Sequence, residues 1–411
     1  MRFSRRQVLL MAAAAAAAPP VRAARSGGHS FLFIHCDGGW DTTKVFTPPF
    51  ELSNVDLAED SYLSSTGGLP FVSHPERGSV DTFFSRYGSR CCIVNGMEVP
   101  SVAHARCRRL LLTGATGQAD DWPTILAACT GAELPMPHLV ITGPAYSDQL
   151  SKHLVRVGRT SQFPDLLSGE LLSTTSPTAA STDDALLDDW LAKRIAEPRT
   201  DRWAELSADY SDILSRHAQL KSASDVLDLP TAYSSCTRDL AVDAAAAFNC
   251  FELGLSRCAM VQFGGWCGLG WDSHTDNQAA QSRNYSDLFS ALGEIMSDLD
   301  GRMSPSGRPL AQSTTIVVTS EMGRHPHLNN WGGRDHWTYT SVLLIGGLRG
   351  GQVLGGVDND LKGVRVDLSS GQPDDHGVLL QTDHLGATLM EIAGIDSGAW
   401  TDAAPIVAAL R

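Results

Sequence analysis

Six short apolar runs, each stopped by glycine or a polar residue, punctuate the chain: Phe31 to Cys36, Cys91 to Gly96, His138 to Gly143, Cys258 to Phe263, Thr314 to Thr319 and Ser341 to Ile345. Continuous runs of this length predict strands buried on both faces, as in a mainly parallel sheet. Between them lie stretches of helical character, at Ala103 to Leu112, Trp122 to Ala128, Val242 to Leu255, Tyr285 to Leu299 and His384 to Ile392. Strands and helices alternating in this way predict an α/β chain with three layers, α/β/α. Ligands of such sheets collect where the strands release their carboxyl ends.

Two stretches break the pattern. Residues 144–235 are polar, with a Ser/Thr-rich tract from Ser173 to Thr182 and helices expected at Asp184 to Ala196 and Arg202 to Ser222. They read as a helical and loop insertion on the core. At the start, Ser4-Arg5-Arg6-Gln7 runs into the alanine-rich segment Leu9 to Ala18, then Pro19-Pro20 and Val21-Arg22-Ala23. Paired arginines, a short and mildly apolar core and small residues at a cleavage position predict a twin-arginine signal peptide over 1–23. That core is shorter than the ~20 residues a membrane span needs. The expected organisation is a leader at 1–23 and one α/β domain over 24–411, carried by the twin-arginine translocase to the periplasm or beyond.

Loss of the leader removes four arginines and no acid, taking the formal net charge from −14 to −18. Such a surface repels nucleic acid and anionic membranes. It suits an anionic substrate only where local cations or metal ions invert the field. The nine cysteines include no CxxC pair and no repeated ligand spacing, which argues against a cysteine zinc site. Most sit in apolar strands or helices, as small core residues do.

The chemistry-bearing residues stand at the edges of the predicted strands. Asp37 and Asp41 follow the first run in His35-Cys36-Asp37-Gly38-Gly39-Trp40-Asp41. Asp272 and His274 lie in Trp271-Asp272-Ser273-His274-Thr275-Asp276-Asn277, shortly after the Cys258 run. Glu321 ends the Thr314 run in Ser320-Glu321-Met322-Gly323-Arg324, and Asp335 and His336 precede the Ser341 run in Gly332-Gly333-Arg334-Asp335-His336-Trp337. Hard oxygen donors with a few imidazoles are what a divalent metal requires. The expected ligands are therefore Asp37, Asp41, Asp272, His274, Glu321, Asp335 and His336, around one or two ions of zinc, manganese or calcium.

In order and spacing these motifs resemble the alkaline phosphatase/sulfatase superfamily, and within it a bacterial branch exported with twin-arginine signals and of undefined function. The closing Thr382-Asp383-His384-Leu385-Gly386 and the helix it opens also look like the last sheet-covering helix of sulfatases. The resemblance covers roughly residues 30–130 and 240–395. It implies a nucleophile at the start of a helix that ends in Thr-Gly, nine residues before the threonine. Counting back from Thr113 gives His104, where related enzymes carry Ser, Thr or a modified Cys. His104 is then nucleophile, ligand or general base, while Ser101 reads as a helix cap and Cys107 as buried. Two-metal members carry Asp-His where this chain has Glu321-Met322, so the number of ions is left open. Arg324 either neutralises a substrate anion or pairs with Glu321.

Two functional expectations follow. One is an exported metal-dependent hydrolase or transferase acting on a phosphate or sulfate ester, its substrate a small anionic ester or glycan. The other is a non-catalytic relative that keeps the fold as a binding or envelope-assembly protein.

Overall fold

The apolar runs pair into one mixed sheet of eight strands. The computed structural model describes residues 28–47, 54–157, 203–223, 240–265 and 270–410, with a few positions between 186 and 193. Across the sheet the order is Gln352–Gly355, Cys91–Glu98, Tyr339–Ile345, Thr314–Ser320, Ser30–Cys36, Cys258–Phe263, His138–Val140 and Leu154–Arg156. Tyr339–Ile345 runs antiparallel to both of its neighbours. Every other pairing is parallel, in line with a mainly parallel sheet.

Alternation along Ser30–Cys36 builds the layers, because successive side chains leave opposite faces of a strand. Leu32, Ile34 and Cys36 enter a core with Phe83, Phe248, Tyr285 and Phe289, contributed by the helices Gly78–Tyr87, Leu240–Glu252 and Asn277–Gly301. Phe31 and Phe33 enter a second core with Trp122, Ile125, Leu385 and Leu389, from the helices Trp122–Gly131 and Thr382–Ile392. Helices thus cover both faces, giving the expected three layers.

The seven described cysteines are unpaired, and all but Cys129 are buried. Residues 1–27, which include the expected leader, lie outside the described residues. So does most of the proposed insertion, including the Ser173 to Thr182 tract and most of the helix expected at Asp184 to Ala196. The helix expected at Arg202 to Ser222 runs Trp203–Ala223. The edge strand Leu154–Arg156 carries the sheet beyond position 144, into the stretch read as insertion. Among the described residues, no helix is long and apolar enough to cross a membrane.

Candidate functional site

Parallel pairing sets the site. Cys36 lies opposite Phe263 on one side and Ser320 on the other, so the next residues, Asp37 and Glu321, emerge side by side at one sheet edge. The Gly38-Gly39 turn folds over that edge. Gly38 N–H donates to both Glu321 carboxylate oxygens, at 3.0 and 3.1 Å, while Gly39 and Trp40 N–H both donate to Ser320 Oγ at 3.1 Å. Glycine is required here. Gly38 and Gly39 have φ of +127° and +84°, and a Cβ would come within 2.8 Å of Asp272 N and 2.7 Å of Met322 Cγ respectively. His336 is delivered by a two-residue ribbon in which it pairs with Arg324, and His104 opens the helix His104–Thr113.

Two groups of donor atoms result, each with its members within 4.8 Å of one another: His104, Asp272 and His336 in one, and His35, Asp37 and Glu321 in the other. His104 joins them, with Nδ1 2.8 Å from Glu321 Oε1 and Nε2 3.3 Å from Asp272 Oδ2. Asp272 and Glu321 raise the His104 pKa to about 9 despite partial burial. Burial works to raise Glu321, yet His104, His35 and the Gly38 N–H hold it below the usual carboxylate range.

His274 stands beside two members of the first group, His336 and Asp272. Its Nε2 stands 3.0 Å from His336 Nε2, and both lie 3.1 Å from Asp272 Oδ1. The far nitrogens fix the tautomers. His336 Nδ1 donates to Val102 O at 2.6 Å, and His274 Nδ1 donates to Asp335 Oδ1 at 3.0 Å. Asp335 is therefore placed behind His274, where it orients the ring and does not join the donor groups.

Three expected roles, those of Asp41, Arg324 and His104, are reassigned by position. Asp41 is fully buried away from the donor groups. Its carboxylate accepts from Thr43 and Asn277 and pairs with Arg334 Nε at 3.2 Å. It caps the turn Thr42–Lys44, as an Asp after a turn commonly does. Arg324 is also buried and neither pairs with Glu321 nor faces solvent. It donates to the carbonyls of Gly38, Gly39 and Arg334, and to Asp272 Oδ1 at 2.6 Å. That position fixes the turn and Asp272. Met322 is buried among Val99, Cys107 and Leu110, beneath the His104 helix, which explains an apolar residue at this position. His104, with a carboxylate facing each ring nitrogen, has no lone pair directed at open space, which disfavours the nucleophile reading.

His35 and Arg108 were not singled out by sequence. His35 is fully buried, neither ring nitrogen has a hydrogen-bond partner among the described residues, and Nε2 stands 3.6 Å from both Asp37 Oδ1 and Glu321 Oε2. It occupies the same face of its strand as Phe31 and Phe33. A polar residue on an otherwise apolar face, two positions before Asp37, was the available signal. Arg108 Nη1 bonds Asp37 Oδ1 at 2.6 Å and keeps 30% of its side chain exposed. Burial works to raise Asp37, but His35 and Arg108 bring it down to about 2.

The family model described as "Protein of unknown function (DUF1501)" matches residues 177–397, just over half of the chain. The chain belongs to that family. No curated protein matches. Among solved structures, the C-terminal periplasmic domain of EcEptC from Escherichia coli, in complex with Zn, is similar at 10% identity and a TM-score of 0.41, covering 95% of this chain and 90% of that one. The PsFucS1 sulfatase from Pseudoalteromonas sp. is similar at 10% identity and a TM-score of 0.41, over 94% of this chain and 74% of that one.

Proposed function

We propose that the chain is an exported, metal-dependent hydrolase or transferase acting on a phosphate or sulfate ester. The observation that carries this reading is the meeting of His274 Nε2, His336 Nε2 and Asp272 Oδ1 at 3.0 to 3.1 Å. Both imidazoles commit Nδ1 as a donor elsewhere, so neutral rings leave three electron-pair donors facing one point. A cation at that point would satisfy all three, beyond the one bond that Arg324 already gives Asp272 Oδ1. Metal-binding histidines commonly donate their second N–H to a carboxylate or a carbonyl, as His274 and His336 do. The residues present therefore fit a metal, and mixed nitrogen and oxygen donors favour zinc or manganese over calcium.

Asp272, His274 and His336 would hold one ion, and His35, Asp37 and Glu321 would complete a second, deeper position. A divalent ion held there would supply Lewis acidity toward an ester oxygen or water. The chain's own groups do the rest. Arg324 fixes Asp272 from behind, and Asp335 orients His274. Arg108, partly exposed beside Asp37, is placed to meet the anionic group of a substrate. A cavity of about 590 Å³ lined by Arg109, Thr116, Gln118, Tyr146 and Ser147 gives room for the remainder of the ester. The guanidinium of Arg109 lies over the Tyr146 ring at 4.5 Å, a polar and flat surface suited to a sugar.

The engagement of both His104 nitrogens favours a second reading, a metal-containing binding or envelope-assembly protein without turnover. Aryl phosphate and aryl sulfate esters distinguish the two. Zinc- or manganese-loaded protein should hydrolyse one of them, with a loss of at least about 100-fold in Asp272→Asn, since removing a direct ligand should cost no less than the roughly 10- to 100-fold of an outer-shell partner. Tight metal binding without turnover of either ester would support the second reading.

A further inference from the structure

Away from the donor groups, three cations are buried together. Lys44, Arg77 and Arg334 are 3%, 0% and 1% exposed, and the one carboxylate buried among them is Asp41. Asp41 is already shared, with Arg334 Nε at 3.2 Å and Lys44 Nζ at 4.0 Å. Glu76, with 59% of its side chain exposed, lies at the rim against Gln278. Asp81, also at the rim, accepts from Ser73.

Arg77 is the member with open donors; Asp41 and, at the rim, Glu76 and Asp81 act on its charge from a distance. It ends the turn Pro75–Arg77 that leads into the helix Gly78–Tyr87. Its Nη1 donates to Ser282 Oγ at 2.8 Å, from the long helix Asn277–Gly301. Nε and Nη2 are buried and have no hydrogen-bond partner among the described residues. These two nitrogens form one edge of the guanidinium plane, with parallel N–H bonds that grip an acceptor from two sides. An unmet buried donor costs roughly 1–3 kcal/mol, more when charged, and a buried cation without a counter-charge costs more still.

We infer that a small monovalent anion of the halide class binds inside the protein at the Nε–Nη2 edge of Arg77, balancing the Lys44–Arg77–Arg334 cluster. Chemistry selects the class. A water molecule would meet the hydrogen bonds but leave the charge surplus. A tetrahedral oxyanion carries more acceptors than the two open donors can serve, and all three cations are sealed from solvent. Bound there, the anion ties the Thr42–Lys44 turn to the two helices that follow Arg77 and carry Ser282. Through Asp41 and Arg334 it also braces the loop that carries Asp335 and His336.

Bromide is the probe. Crystals of the wild-type protein in bromide should show an anomalous peak within hydrogen-bonding distance of Arg77 Nε and Nη2. In solution at constant ionic strength, with gluconate replaced stepwise by chloride, the melting temperature should rise by about 2 °C and saturate, as for a ligand specific to the folded state. The saturating rise should be absent from Arg77→Met. Water alone at that edge, with no anomalous peak and an equal, unsaturated chloride response in both proteins, overturns the inference. So does a peak accompanied by no saturable response, which would be binding at crystal concentration only. Should Arg77→Met not fold, the wild-type map and titration decide alone.

Discussion

Lys44 shows how one side chain records its surroundings. Burial pushes its pKa from the ordinary 10.5 down to about 8, Asp41 holds it up, and Arg334 and Arg77 add to the depression. Between those two values the unfolded chain binds more protons than the folded one, so stability rises with pH across that window. The contribution is complete above 10.5 and lost as pH falls through 8. In halide-free buffer, the wild-type melting temperature should therefore gain on that of Lys44→Met between pH 8 and pH 10. A difference that stays flat across that range would contradict this. At the same scale, sequence picked out Asp272, His274 and His336, which the structure brings within about 3 Å of one another, because several polar residues of ligand type fell beside strand ends at once. Asp41 carried the same signal and proved to be a cap, since a carboxylate after a glycine turn serves either purpose until its partners are known. His35 was hidden by its run: within Phe31 to Cys36 an imidazole reads as one more strand position.

Among the elements, the helix Trp122–Gly131 offers a sharp test. Asp121 caps it, accepting from Thr124 N–H at 2.8 Å with one oxygen and from Tyr146 N–H at 2.7 Å with the other. The second bond ties the helix to the loop that lines the Arg109 cavity. Asp121→Ala removes the cap, about 1 kcal/mol, and strands a Tyr146 N–H, about 1–3 kcal/mol. A total loss of about 2–4 kcal/mol in denaturant unfolding is expected, and about half of it in Asp121→Asn, which keeps one acceptor. Equal stability of Asp121→Ala and wild type would show that neither bond matters. The buried strands were readable as continuous apolar runs. The edge strands Leu154–Arg156 and Gln352–Gly355 were not, because three or four residues with one open side carry little apolar signal. The helix Gly78–Tyr87 was passed over because it starts on glycine and holds only four buried residues.

For the whole molecule, the layered α/β order was legible because burial on both faces leaves its mark along every central strand. Which residues meet across the sheet edge was not, since this depends on register, and register appears only when Cys36 is seen opposite both Phe263 and Ser320. Export belongs to this scale. With Arg5 and Arg6 both replaced by lysine, the chain should stay in the cytoplasm, and periplasmic recovery of that double variant would contradict the twin-arginine route. The central claim is that the clustered imidazoles and carboxylates hold a metal. Metal content of the full-length export product, measured by mass spectrometry after dialysis against zinc and manganese, tests it most directly. The account predicts one to two equivalents in wild type, a marked loss in His336→Ala and in Glu321→Gln, and no loss in Asp41→Asn. Equal and negligible metal in all four proteins would contradict it.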